Sequence, residues 1–461
     1  MPPYAALSYC WGQTPQQEQA KSVNANIQDR QKNIDPSQLP QTVRDAIRVA
    51  RALTLSFLWV DALCIIQDDK SEMQTEITKM AGVYQNAAIT IVAASAKSSV
   101  EGFLGDRDLK AAYGQVSQLS YEFINGDHQA QGSVMLSERS LRDEYEEPID
   151  TRAWTMQEDI LSVRLLRFGL TQTTWRCPSV YKTIDGGSSP SLHFEGFNFT
   201  KSGAFQDKDH KLTESEYRSS NGNAYVDNEV WKVWQGSIED YTTRAISNPE
   251  DRLTACAAFA EKFASTRSLC STDYLSGLWK DDIYAQLLWY QEEESDVARS
   301  SGSRRSPAPT WSWASINGPV HFHNRYLLTD ENDVVQASAR LDDDRMLYRR
   351  QGCGYAEVGP ACLWLNGTLQ RVHRDGHHVK QGMESASPLA LTAFWDSPED
   401  QFDQTLWCFE VTRTAQGNRT LGLLLARTER EEFVRVGCFE TDDPSVRSWL
   451  AKDERRTVAI V

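Results

Sequence analysis

The chain has no long apolar run. A membrane-spanning helix needs about 20 mostly apolar residues, whereas the longest such stretches here, around Phe57 to Ile66 and Ala87 to Ala96, are strand-length. No membrane span is expected. Met1 leads directly into Pro2, Pro3 and Tyr4, with no basic segment followed by an apolar one, so no secretory signal is visible and a cytoplasmic setting is expected. Basic charge is also scarce. Against 64 Asp and Glu stand 48 Lys and Arg, a net charge of −16, and such a self-repelling surface opposes unsteered binding to phosphate backbones or anionic lipid. No nucleic-acid partner is expected. The nine cysteines include no CxxC pair and no His at finger spacing, so they read as reduced thiols. Sequons at Asn198, Asn366 and Asn418 matter only in a secreted protein. No GxGxxG, P-loop, GxSxG or HExxH pattern occurs. His321 and His323 on one side of a strand, His373, His377 and His378 in a polar turn, and the acidic runs at 292–295 and 342–345 lack the companions of a metal cage. No metal site and no required cofactor are expected.

What the chain does have is length and apolar area. Its 461 residues allow two or three domains, and 40% hydrophobic residues with 14 Trp, 16 Tyr and 16 Phe supply enough apolar surface to offset ordering entropy. In LPQTVRDAIRVARAL, Val43, Ala46, Ile47, Ala50 and Leu53 recur at helical spacing. FLWVDALCII (57–66) reads as a strand covered on both faces. Ser71 and Gln74 form a capping-box pattern opening a helix with Met73, Ile77, Met80 and Tyr84 on one face. AITIVAAS (88–95) reads as another buried strand. The alternation predicts a parallel α/β sheet. Upstream, YAALSYCWG (4–12) reads as a strand ending in a Gly turn, which sets Ser8, Tyr9, Trp11 and Gly12 at the strand's carboxyl end, where open α/β sheets bind ligands.

Residues 97–150 are mixed and polar, and 152–168 offer a short helix and a strand. The expected organisation is a first domain over 1–180, a polar loop or insertion over 181–228, a helical and Trp-rich segment over 229–330 packing on the first domain, and a β-rich α+β region over 331–461, where alternating runs are punctuated by Gly, Asn and Asp. Within the third part, TWSWASING reads as a strand and tight turn.

The ordered blocks LSYCWG (7–12), LPQTVRDAIRVAR (39–51), FLWVDALCIIQDD (57–69), EITKMAGVYQNAAITIVAAS (76–95) and RAWTMQEDILSVRLL (152–166) resemble the fungal heterokaryon incompatibility (HET) domain. Cys10, Met73 and Met156 depart from its usual residues by apolar swaps. The resemblance implies nonself recognition and regulated cell death, with a protein sensor or self-association as partner. That family is in turn similar to Toll/interleukin-1 receptor (TIR) domains, flavodoxin-like sheets of which some cleave NAD. This implies a TIR/flavodoxin-like α/β fold, NAD or another nucleotide as candidate ligand, and Glu76 in the position of the TIR catalytic glutamate. Recruitment to small-molecule metabolism is a further alternative.

At about 100° per residue, Glu76 lies about 60° to one side of Met73, flanking the buried stripe. A carboxylate so placed can hydrogen-bond a ribose and stabilise an oxocarbenium-like transition state; the plain alternative is a surface charge paired with Lys79 or Lys70. Asp61 sits in an apolar run and must be hydrogen-bonded or functional. Gln67 follows it towards the same cleft. Trp11 can stack on a flat base or pack in the core with Tyr9. Trp154 and Glu158 share a helix face with Gln157, as a pocket wall with Arg152 near a phosphate or as a docking helix.

Overall fold

The computed structural model describes residues 2–13, 15–107, 115–125, 128–137, 147–178, 180–183, 228–291, 308–323, 335–342, 355, 362–375, 378–381, 388–396, 405–414, 419–452 and 454–461. It divides into two units, Met1–Glu195 and Gly196–Val461. Most of the polar segment at 181–228, the acidic run at 292–295, His377, Asn198 and Asn418 lie outside the described residues.

In the first unit, β1 (Tyr4–Ser8) is followed by two short helices, α1 (Pro15–Ala20) and α2 (Ile27–Lys32), then by α3 (Gln41–Ala52), β2 (Phe57–Trp59), α4 (Asp61–Cys64), α5 (Lys70–Asn86) and β3 (Ile89–Val92). A ribbon of β4 (Val116–Asn125) and β5 (His128–Ser137) comes next, then α6 (Ala153–Leu161), β6 (Leu165–Phe168), β7 (Thr173–Cys177) and β8 (Val180–Thr183). The sheet order is β2-β1-β3-β6-β7-β8, with β2, β1, β3 and β6 parallel and β7 and β8 added antiparallel. The chain therefore leaves β1 for β2 on one side and crosses to β3 on the other. This is the flavodoxin-like switch point, which opens a crevice at the carboxyl ends of β1 and β3.

The predicted periodicity of α3 is what packs it: Val43, Ala46, Val49 and Ala50 are buried against Ala5 and Leu7 of β1 and Ile89 and Ile91 of β3. On the other face of the sheet, Cys10, Val92, Ala94, Ile149 and Leu165 form a smaller core. Three local expectations are corrected. The run 57–66 is not one doubly covered strand. Its strand stops at Trp59, lies at the sheet edge with Phe57 exposed, and turns where the Leu63 and Cys64 amides both donate to the Val60 carbonyl, so Asp61 opens a helical turn rather than interrupting a strand. Helix α5 is capped two residues earlier than the capping box predicts, because Asp69 accepts from the Ser71 and Glu72 amides. The polar stretch 97–150 contains the β4–β5 ribbon, a two-stranded sheet among the described residues.

The second unit opens with α7 (Asn228–Thr243) and α8 (Thr254–Arg267), joined by Trp234 stacked on Phe259 at 4.9 Å. Short pairs β9 (Tyr274–Leu275) with β10 (Leu278–Trp279), and β11 (Trp289–Tyr290) with β12 (His321–Phe322), flank α9 (Ile283–Gln286). TWSWASING is a 3-10 turn rather than a strand: Ser312 caps Trp313–Ser315, and Trp311 and Trp313 are buried, bonded to β11 and to Gly277. The β-rich expectation holds for the remainder. Strands β13 (Val335–Ala337), β14 (Arg340–Leu341), β15 (Leu363–Gly367), β16 (Leu369–Asp375), β17 (His378–Lys380), β18 (Thr392–Trp395), β19 (Thr405–Thr414), β20 (Thr420–Arg427), β21 (Phe433–Thr441) and β22 (Arg456–Ile460) form a ten-stranded sheet, with α10 (Pro444–Leu450) before the last strand. All pairs are antiparallel except β21 with β22. Arg435 on β21 is fully buried, bidentate to Asp396 at 3.0 Å, bonded to the Leu287 and Trp289 carbonyls, and lies over the Trp289 ring.

Candidate functional site

Seven sequence-predicted residues meet at the crevice. Buried Ser8 and Tyr9 leave the end of β1, and Gly12 closes the turn with φ +71°, where a Cβ would meet the Ser98 Cβ at 2.5 Å. From the turn after β2, Asp61 accepts the Trp11 indole N–H at 2.8 Å and the Ala62 amide at 2.6 Å. Arg152, at the start of α6, donates to the Tyr9 carbonyl. One turn into α6, Glu158 is 5% exposed, with the Ser8 and Tyr84 hydroxyls bearing on its carboxyl. Its Oε2 is buried without a hydrogen-bond partner among the described residues.

The electrostatics follow from burying two acids around one cation. Loss of water raises Glu158 to about 7, against the opposing pull of Arg152 and Ser8. Burial also pushes Asp61 up, while Arg152, the Ala62 amide, Trp11 and Tyr9 favour its ionised form. Cys10 and Tyr84 are raised by the same desolvation. A carboxyl titrating near neutrality beside a second acid is the arrangement by which sites separate proton-holding from charge-holding roles.

The other candidates are engaged in different contacts. Glu76 is on α5, partly exposed and paired with Lys79 at 2.6 Å, the helix-pairing alternative of the sequence reading. Gln67 donates to the Asp61 and Ile65 carbonyls at 3.2 and 3.1 Å, tying the turn together. Trp154 is half-buried on α6. Sequence reasoning missed Tyr84, read only as core, and Lys21, whose Nζ lies 5.2 Å from the Trp11 ring centroid. Nothing in the local pattern of either residue marks it; only the fold brings Tyr84 to β1 and Lys21 to the turn that follows it. Among the described residues no group of His, Cys, Asp and Glu could hold a metal ion, and no helix is long and apolar enough to cross a membrane.

The buried acid–cation cluster thus sits at the switch point, the place where open α/β sheets bind ligands. Residues 4–158, about a third of the chain, match the family model described as Heterokaryon incompatibility protein (HET). The chain is similar to heterokaryon incompatibility protein 6, OR allele, of Neurospora crassa, at 26% identity over 157 residues, 32% of this chain and 21% of that protein. The matched stretch thus spans about a fifth of that relative. No solved structure matches.

Proposed function

We propose that this protein acts in fungal heterokaryon incompatibility and the regulated cell death that follows it, in the cytoplasm, through a TIR-like HET domain that self-associates or binds a sensor partner. The Neurospora relative and the family model support the biological setting. The β2-β1-β3 order supports the likeness to TIR domains. The observation that carries a ligand-responsive site is Glu158, buried at the carboxyl end of β1 with an unpartnered oxygen.

A second reading, NAD cleavage at the nicotinamide glycosidic bond, is favoured by the same residue. NAD's nicotinamide ring is cationic, and a cation entering beside Glu158 would favour its ionised form. The carboxylate would then face the ribose and stabilise positive charge developing as the bond breaks. Trp11 offers a ring for stacking and Arg152 a cation. In this reading Glu158, rather than the ion-paired Glu76, is the reacting carboxylate. Recruitment of the crevice to another small molecule would use the same cluster.

The test is nicotinamide release from NAD, together with NAD-dependent thermal shift, for wild type, Glu158→Gln and Glu76→Ala. Turnover lost in Glu158→Gln and retained in Glu76→Ala is the expected result. Absence of both turnover and thermal shift in wild type, at concentrations where the protein oligomerises, would remove NAD and leave a protein-binding module.

A further inference from the structure

The β4–β5 ribbon is unlike the rest of the first unit. It is inserted between β3 and α6 and, among the described residues, forms a two-stranded sheet by itself, an element marginal in water without a third strand or an apolar cover. Its register sets Leu119 opposite Val134, Ser117 opposite Leu136 and Tyr121 opposite Gly132, with the Tyr121 ring lying over Gly132. Residues alternate between faces, so Leu119, Tyr121, Val134 and Leu136 share one, and they are 54%, 50%, 48% and 50% exposed. Glu122 is on the other face, bonded to Gln131 at 2.7 Å.

Charge selects the occupant. The whole chain carries −16, so two copies repel wherever ordinary surface meets ordinary surface. Yet β5, HQAQGSVMLS, is ten residues long with no Asp, Glu, Lys or Arg. Edge strands usually carry such charges to block pairing. A basic partner would be drawn by carboxylates, and β5 offers none. A second acidic copy is the partner for which a neutral strip matters, and an antiparallel strand pair is self-complementary about a two-fold axis.

We propose that β5 is a homodimer interface, two copies pairing β5 against β5 antiparallel to make a four-stranded sheet with a joined apolar face. This deepens, and rests on, the reading that the domain acts by self-association. One such edge with four half-exposed side chains per copy falls below the roughly 1,200 Å² total of smaller specific interfaces. The dimer is therefore weak and concentration-dependent.

The experiment is sedimentation velocity of the full chain over a concentration series, for wild type, Val134→Lys, Val134→Glu and an equimolar mixture of the two variants. Val134 is near the middle of β5, so it approaches its own counterpart across the axis, and its half-exposed position lets the monomer fold with either charge, as circular dichroism would verify. The expected result is a wild-type dimer, each variant weakened about tenfold or more by like charge, and dimer restored in the mixture. A wild-type dimer unchanged in both variants would overturn the ribbon proposal and leave self-association standing. A wild type monomeric throughout would overturn both.

Discussion

Glu158→Gln should stabilise the protein at neutral and alkaline pH. The carboxyl ordinarily titrates at 4.5 and stands at about 7 in the folded chain. Below 4.5 both folded and unfolded chains hold the proton and the group contributes no pH dependence. As pH rises from 4.5 to 7 the unfolded chain releases it and the folded chain does not, so stability falls; above 7 the loss is complete. At about 1.4 kcal/mol per tenfold change, the full loss amounts to about 3 kcal/mol. Gln keeps the shape and cannot ionise. Allowing about 1 kcal/mol for hydrogen bonds the amide makes less well, the variant should be about 2 kcal/mol more stable than wild type at pH 8 and slightly less stable at pH 4.5. Hydrogen exchange of peptides from β1 and α6 in the full chain, at pH values between 5 and 8 and corrected for intrinsic exchange, reads this locally. A variant less protected than wild type at pH 8, or a difference that does not change with pH, would refute the reasoning.

Three further substitutions test separate parts of the structure. Trp11→Phe removes the 2.8 Å indole bond to Asp61 and should destabilise the first unit by about 1 kcal/mol, seen as lost protection at α4. Arg435→Met leaves Asp396 buried without its cation and should cost about 3–5 kcal/mol, whereas Arg435→Met with Asp396→Leu should recover most of it; urea denaturation of the two variants compares them. At Gly422 a Cβ would stand 2.2 Å from the Phe409 carbonyl oxygen, backbone that cannot move aside, so Gly422→Ala should break the β19–β20 ladder and lower stability by about 3 kcal/mol or more, with a matching fall in melting temperature.

The order of elements from α3 to β3 was legible because burial writes itself into spacing: the apolar positions of α3 are those that touch β1 and β3. The run 57–66 misled because apolar composition does not separate a strand from a helical turn, and β2's edge position depends on a sheet order that no local window contains. The ribbon's alternation, Leu119, Tyr121 and Phe123 against polar neighbours, was present but sat in a stretch whose polarity hid it. At the site, Ser8, Tyr9, Trp11, Asp61, Arg152 and Glu158 were all nominated, yet their joint arrangement was not. Glu158 is 150 positions from Ser8 in sequence, and only the adjacency of β1 to β3 and the return of α6 beside them makes the pair. Glu76 was nominated by its place on a helix face and by resemblance to the TIR catalytic glutamate, and neither signal registers its pairing with Lys79.

That pair has a consequence for binding. Asp61 and Glu158 share one nearby cation, Arg152, whose pull is the largest opposing influence on each, so near neutrality the cluster either retains a proton or admits a cationic group of a ligand. A ligand that supplies such a group binds the ionised form of Glu158 and must displace that proton. Its apparent affinity should then fall about tenfold for each pH unit below 7 and stay level above it. Titration calorimetry with NAD in two buffers of different ionisation enthalpy measures the released proton directly. Binding that is equally tight at pH 5.5 and pH 8, with no buffer dependence of the heat, would mean that the ligand's cation does not meet Glu158.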